Sequence, residues 1–122
     1  MYGWLGDEAF LFEDHQMTYN AHTWGIDPKR FETDPDLKEM FEVTAISHMP
    51  EPDGRPFVAS IESHKYPFFG TQYHPEKTTQ AYNDDIGVDH SWLSVKLNRH
   101  LADYFVYLAR HNTNNAGTYS EV

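Results

Sequence analysis

The sequence predicts an α/β protein with the element order β-β-β-loop-α, incomplete as a layered fold on its own. Apolar residues in three segments, at 41–47, 56–62 and 67–73, indicate three strands. A long amphipathic pattern that begins near Ser91 indicates one helix. The third strand segment is nearly continuously apolar, which is typical of a strand covered on both faces. A single long helix covers only one face, so a larger layered structure is indicated.

A weakly patterned N-terminal segment, residues 1–16, precedes the first predicted element, and we expect it to be irregular. Asp34 followed by Pro35 is typical of a helix N-cap and the first helical position, so a short helix is predicted over residues 34–41. Apolar and polar residues then alternate through residues 41–47, which indicates the first strand.

A turn is predicted at residues 50–54, because two prolines and an Asp-Gly pair fall together there. The short connection makes the second strand, residues 56–62, antiparallel to the first. The third strand, residues 67–73, is predicted to lie inside the sheet. Its aromatic residues are expected to be strand core: Tyr66, Phe68, Phe69 and Tyr73.

A polar loop, residues 75–90, leads to the clearest element, a helix of about 20 residues starting near Ser91. A polar tail, residues 113–122, follows. Two helix histidines, His100 and His111, are expected to face solvent. The apolar face is predicted from this set: Leu93, Val95, Leu97, Leu101, Ala102, Phe105, Val106, Leu108 and Ala109.

Composition excludes several classes of function. The formal net charge of −10 and the isoelectric point of about 5.0 disfavour binding to nucleic acid or to an anionic membrane. No apolar run is long enough for membrane insertion, and the N-terminus lacks the pattern of a signal peptide. The sequence contains no cysteine, so disulfides, zinc-thiolate sites and thiol catalysis within this chain are excluded. Its eight histidines show no tight ligand spacing, so no metal site is predicted.

The candidate chemistry lies at His74-Pro75-Glu76, at the end of the third strand segment, where α/β folds place active sites. Glu76 can reach one imidazole nitrogen of His74, leaving the other nitrogen to exchange a proton with a nucleophile or a leaving amine. The pair alone is also compatible with an ordinary surface His and Glu in a polar loop.

The wider segment YPFFGTQYHPEK, residues 66–77, resembles the C-terminal active-site region of class-I glutamine-amidotransferase-like proteins, and most of all γ-glutamyl hydrolases. Residues 19–26, residues 87–90 and the final helix resemble further parts of that family in the same order. The resemblance covers residues 17–112. It implies that the chain is the C-terminal portion of a flavodoxin-like three-layer fold.

The resemblance also implies a function. A cysteine would attack a γ-glutamyl amide, for example in folyl-polyglutamates, while His74 moves protons and Glu76 orients His74. His22 and His90 would border the substrate; a packed role for His22 and a local structural role for His90 stay open. No cofactor is implied, and relatives of this kind are lysosomal, vacuolar or secreted.

The cysteine implied by the resemblance is missing, so we expect no activity from this chain alone. A cysteine-bearing N-terminal half, on the same parent chain or on a separate chain, is the expected partner. Two alternatives remain: a non-catalytic subunit or relic in a larger assembly, and a glutamine amidotransferase domain. The Asn20-Ala21-His22-Thr23-Trp24 stretch favours the hydrolase over the amidotransferase.

Overall fold

The computed structural model describes residues 1–82, 87–114 and 117. A 3-10 helical segment, Tyr2–Phe10, opens the chain. The remaining elements are α1 (Leu11–Asp14), α2 (Lys29–Thr33), α3 (Pro35–Met40), β1 (Phe41–His48), β2 (Pro56–Ser63), β3 (Phe69–Thr71), α4 (Lys77–Gln80) and α5 (Trp92–Arg110). The predicted order of three strands followed by a long helix is confirmed, as is the α/β class, but the predicted loop at residues 75–90 contains the short helix α4. The loop prediction at residues 83–86 and most of the polar tail lie outside the described residues.

The three strands form one antiparallel sheet in the order β1-β2-β3. β2 is central, and Phe57, Val58, Ala59 and Ser60 within it are buried. The prediction that the third strand lies inside the sheet is wrong for the described chain, because β3 has only β2 beside it. The prediction of strand core is also wrong for two aromatics: Tyr66 is 55% exposed and Phe68 60% exposed. The two rings stack on each other, but both remain largely exposed within the described residues.

β1 carries an irregularity that the alternating pattern did not indicate. Its register against β2 shifts between Val43 and Ala45 and again between Ala45 and Ile46. Near the shift the Thr44 hydroxyl is hydrogen-bonded to the Ser60 hydroxyl, with 2.8 Å between the oxygens. A bulge of this kind interrupts strict alternation, so apolar residues of β1 do not all lie on one face.

The predicted N-cap at Asp34 is confirmed, and Ser91, near which the long helix is predicted to start, is also an N-cap. The Asp34 carboxylate accepts hydrogen bonds from the backbone N–H groups of Asp36 and Leu37 at the start of α3. Ser91 accepts one from the N–H of Ser94 at the start of α5. Each cap satisfies N–H groups that the first helical turn leaves without a partner.

Residues 1–16 were predicted to be irregular, and this is wrong: they are largely helical. Gly6, with φ of 58°, splits the segment into two short helical pieces, and this break hides the helical period in the sequence. The Trp4 ring packs against the ring of His100, with 4.9 Å between centroids. Lys96 of α5 is hydrogen-bonded to Glu8. The segment thus packs along α5.

α5 buries a narrower stripe than predicted. Leu97 is 0% exposed and Leu101 3%, whereas Phe105 is 62% exposed. The expectation that His100 faces solvent is wrong, because Trp4 covers it and His100 is only partly exposed. The central cluster joins α5 to the sheet and to the first residues of the chain: Met1, Tyr2, Phe69, Tyr73, Leu101 and Tyr104.

The segment that leads into α2, and α2 itself, also pack against β2. The N–H of Val58 donates to the carbonyl of Ile26 at 2.9 Å, and Phe31 of α2 is buried. Gly25 approaches Phe57 so closely that a Cβ there would lie 2.6 Å from the Phe57 Cβ. In the described part of the chain, no helix is long and apolar enough to cross a membrane.

Candidate active site

His74 lies just beyond the end of β3, on a backbone that is tied down on both sides. The N–H of Gln72 donates to Ala59 of β2 at 2.8 Å, which extends the strand pairing past β3. The N–H of His74 donates to the carbonyl of Tyr19 at 2.9 Å. Between these bonds, Tyr73 is 5% exposed and packs in the central cluster. The backbone of His74 is thereby fixed, while its side chain points outward.

The predicted pairing of His74 with Glu76 is present. The distance between His74 Nδ1 and Glu76 Oε1 is 3.0 Å, and the side chains are 44% and 48% exposed. Because an ionised carboxylate only accepts hydrogen bonds, Nδ1 is the donor and carries the proton. The other ring nitrogen, Nε2, has no hydrogen-bond partner among the described residues. In a neutral ring it is the basic nitrogen, free to take a proton from a reacting group.

Two buried polar side chains of α5 hold the segment that contacts the backbone of His74. Ser94 Oγ and Asn98 Nδ2 both donate to the carbonyl of Met17, at 3.3 and 3.0 Å. Met17 begins the segment whose Tyr19 carbonyl holds the backbone of His74. The helix therefore positions the candidate site through main-chain carbonyls. Sequence reasoning missed both residues, although two polar residues four positions apart beside an apolar stripe are a usable signal.

Tyr73 gives a second support. Its hydroxyl and the hydroxyl of Tyr2 are hydrogen-bonded at 2.8 Å. Burial, and then the neighbouring Tyr2 hydroxyl, raise the pKa of the Tyr73 phenol well above its ordinary value. Tyr73 is therefore neutral at physiological pH. It anchors the strand end next to His74.

The predicted substrate residue His22 has an oxygen acceptor near each ring nitrogen, and a neutral ring donates a hydrogen bond to only one of them. Nδ1 lies 3.1 Å from the carbonyl of Trp24, and Nε2 lies 3.1 Å from the side-chain amide oxygen of Asn20. Its ring meets Phe57 edge to face, at 4.9 Å between centroids. Trp24 beside it is 85% exposed. The substrate role of His22 stays a prediction.

His90 is tied to the helical turn that follows Glu76. Nδ1 lies 2.8 Å from the carbonyl of Thr78, and Nε2 lies 3.0 Å from the carbonyl of Ala81. Its ring stacks on Tyr82, with centroids 4.4 Å apart and an angle of 10° between the planes. These contacts hold α4 in place, which is a structural role. A substrate contact by His90 stays a prediction.

His74 and Glu76 can transfer protons, but the sequence contains no cysteine thiol with which His74 could exchange one. Across the described ranges, no group of three or more metal-ligating side chains comes together.

Comparison with known proteins identifies the family of this chain. The sequence profile of the family described as glutamine amidotransferase class-I matches residues 7–90. The chain is 34% identical to human gamma-glutamyl hydrolase over 106 residues, which are 86% of this chain and 32% of the human protein. It is 30% identical to gamma-glutamyl hydrolase B of Dictyostelium discoideum over 90 residues, 74% of this chain and 25% of that protein. It is 29% identical to gamma-glutamyl hydrolase 1 of Arabidopsis thaliana over 98 residues, 80% of this chain and 27% of that protein.

The chain thus spans about a third or less of the length of these curated relatives. Within that span the family match includes His74, Glu76 and His22, and it ends at His90. The chain belongs to the class-I glutamine amidotransferase family, and the relatives named above are γ-glutamyl hydrolases.

Proposed function

We propose that this chain supplies the acid–base half of a cysteine-dependent hydrolase that cleaves γ-glutamyl bonds. His74 is the general base and acid, and Glu76 orients it. The cysteine comes from a polypeptide segment other than the 122 residues of this sequence, and the chain alone is inactive. One observation carries the proposal: the hydrogen bond of 3.0 Å between His74 Nδ1 and Glu76 Oε1, with Nε2 left open at the end of a strand.

Each step of the reaction has a place for these two side chains. His74 Nε2 takes the proton of the cysteine thiol, and the thiolate attacks the carbonyl carbon of the γ-glutamyl amide. The imidazolium then gives that proton to the departing amine, which leaves an acyl-enzyme. Water, deprotonated by the same nitrogen, attacks the acyl carbon; the carbon–sulfur bond then breaks to release the γ-carboxylic acid, and His74 returns the proton to the sulfur. Glu76 keeps Nδ1 protonated throughout and stabilises the imidazolium by its charge.

We propose that the substrate is a γ-linked glutamate chain of the folyl-polyglutamate kind. We also propose that the enzyme to which this chain contributes is lysosomal, vacuolar or secreted. The name shared by the human, Dictyostelium and Arabidopsis relatives supports the bond type. His22 and Trp24 are proposed to border the substrate, since Trp24 is largely exposed next to a histidine that holds it in place.

A second candidate is a non-catalytic subunit in which His74 and Glu76 are retained but idle. The observation in its favour is the absence of cysteine from the sequence. A glutamine amidotransferase domain would use the same pair, but the relatives named as hydrolases favour hydrolysis.

A chimera tests the proposal. The 106-residue segment of human gamma-glutamyl hydrolase that matches this chain is replaced by the matching residues of this chain. The assay measures glutamate released from a pteroyl-polyglutamate. We expect a folded chimera to release glutamate, and the chain alone to release none.

His74→Asn in the chimera should reduce kcat/KM by about 10²–10⁴-fold, the usual contribution of a positioned general acid–base. His64→Asn is the matched control, because His64 is exposed in a turn and should leave the rate unchanged. A chimera that folds by circular dichroism yet is as inactive as its His74→Asn variant would favour the non-catalytic subunit.

A further inference from the structure

Both side chains of the candidate acid–base pair lie at the surface. His74 is 44% exposed and Glu76 is 48% exposed. An exposed pair of this kind favours its paired arrangement by less than about fivefold, because water competes for both groups. A group that transfers protons must keep one orientation toward the reacting atoms, since small misplacements slow the reaction strongly. Glu76 alone is therefore a weak restraint on the His74 ring.

Tyr19 provides a second contact with His74. The two rings lie side by side, with 6.3 Å between their centroids and an angle of 46° between their planes. Aromatic pairs that avoid a face-to-face arrangement attract each other at centroid distances of about 4.5–7 Å. The carbonyl of Tyr19 also accepts the hydrogen bond from the N–H of His74, at 2.9 Å. Tyr19 thus contacts both the backbone and the ring of His74.

Tyr19 is itself held in place from α5. Met17, two residues earlier, is 2% exposed, and its carbonyl accepts hydrogen bonds from Ser94 Oγ and Asn98 Nδ2 at 3.3 and 3.0 Å. The segment is therefore fixed at Met17 by the helix and at Tyr19 by the N–H of His74. The Tyr19 side chain is only partly exposed. A ring carried on a fixed backbone can restrict the side chain beside it, which a ring on a mobile loop cannot.

The aromatic ring of Tyr19, and not its hydroxyl, makes this contact. Among the described residues, the hydroxyl of Tyr19 has no hydrogen-bond partner. Phenylalanine at this position would therefore preserve the contact with His74. Leucine would fill similar space without an aromatic ring, and the carbonyl would be present in both variants. The two substitutions separate the effect of the ring from that of the backbone and of simple space filling.

We propose that Tyr19 is a positioning residue for His74, and that its ring holds the imidazole in the orientation that aims Nε2 at the reacting groups. Glu76 keeps the proton on Nδ1, and Tyr19 limits the rotation of the ring about its side-chain bonds. This inference rests on the proposed function. It adds a residue that supplies the restraint which the exposed pair lacks.

The first test measures the orientation of His74 by NMR in the purified chain and requires no activity. Three-bond couplings between the Hα and Hβ protons of His74 report whether its side chain keeps one rotamer. We expect values typical of a single rotamer in the unsubstituted chain and in Tyr19→Phe, and averaged values in Tyr19→Leu. Circular dichroism confirms that each variant folds, and leucine keeps the apolar bulk on which folding depends.

Tyr107→Leu is the matched control for this measurement. Tyr107 also packs on a histidine, because its ring lies 4.5 Å from that of His111 between centroids, but it does not contact His74. Its replacement should leave the couplings of His74 as they are in the unsubstituted chain.

The second test measures the rate of glutamate release by the chimera with human gamma-glutamyl hydrolase. Tyr19→Leu should lower kcat about two- to tenfold, the effect of losing one aromatic pair. KM should stay unchanged, because Tyr19 acts through His74 and not on the substrate. Tyr19→Phe should restore kcat, which a requirement for the hydroxyl would prevent.

Averaged couplings in the unsubstituted chain, unchanged couplings in Tyr19→Leu, or an equal change in Tyr107→Leu would overturn the inference. So would a Tyr19→Phe chimera as slow as Tyr19→Leu, or a Tyr19→Leu chimera altered only in KM. The two tests also separate this inference from the proposed function. An inactive chimera together with couplings that depend on the Tyr19 ring upholds the positioning of His74 and removes the hydrolase. An active chimera whose kcat is indifferent to Tyr19→Leu upholds the hydrolase and removes the positioning role.

Discussion

Leu101→Ala tests how much the packing of α5 on the sheet next to the candidate site contributes to the free energy of unfolding. Leu101 is 3% exposed and packs with Met1 and Tyr73, directly before His74. The substitution removes three carbon atoms, and at about 0.8 kcal/mol for each the transfer cost is about 2.4 kcal/mol. The unfilled space raises the total loss to about 2–5 kcal/mol. For a small domain this is a large part of the free energy of unfolding.

The assay is urea unfolding followed by circular dichroism. A lower midpoint with an unchanged slope reports a loss of stability alone. Phe105→Ala is the matched control, four residues further along the same helix. It removes a larger side chain that is 62% exposed, so the loss should stay below about 1 kcal/mol in the isolated chain. Equal losses for the two variants would refute the packing described here.

Three further results are expected from the same unfolding measurement. Burial lowers the pKa of His100, with Asp103 and Glu8 acting in the opposite direction, so stability should be level above about pH 6.5 and fall below it. His100→Leu should remove that part of the pH dependence, and an unchanged profile would show that His100 is not its source. Tyr2→Phe leaves the buried Tyr73 hydroxyl without its bond and should cost about 1–3 kcal/mol, against almost nothing for Tyr82→Phe, which is 75% exposed. Asp34→Ala removes the cap of α3 and should cost about 1 kcal/mol; no loss would mean that the cap contributes nothing.

Local signals in the sequence were sufficient for most elements. The cap at Asp34, the turn before β2 and the long helix that starts near Ser91 are all set by residues close in the chain, and each is present in the structure. The pairing of His74 with Glu76 is likewise set by residues close in the chain, because Pro75 fixes the backbone between them.

The parts that could not be predicted depend on residues distant in the chain. Nothing near Trp4 in sequence indicates that it covers His100. The carbonyl of Met17 meets Asn98 across 81 positions, and no periodic pattern encodes that contact. The third strand was placed inside the sheet because its composition suits that position, and the described residues leave its outer edge open.

The buried face of α5 is narrower than the apolar face predicted from its sequence, for the same reason. A hydrophobic period shows that a face can be buried, but it does not say by what. Phe105 and Phe68 contact the rings of Phe69 and Tyr66, yet they remain 62% and 60% exposed in the described chain.

The central claim is that Glu76 holds His74 with Nδ1 protonated and Nε2 open. Nitrogen-15 NMR of the His74 ring in the purified chain, at a pH where the ring is neutral, tests it most directly. The account predicts the tautomer with the proton on Nδ1, and loss of that preference in Glu76→Ala. A ring that carries its proton on Nε2, or that is indifferent to Glu76→Ala, would contradict it.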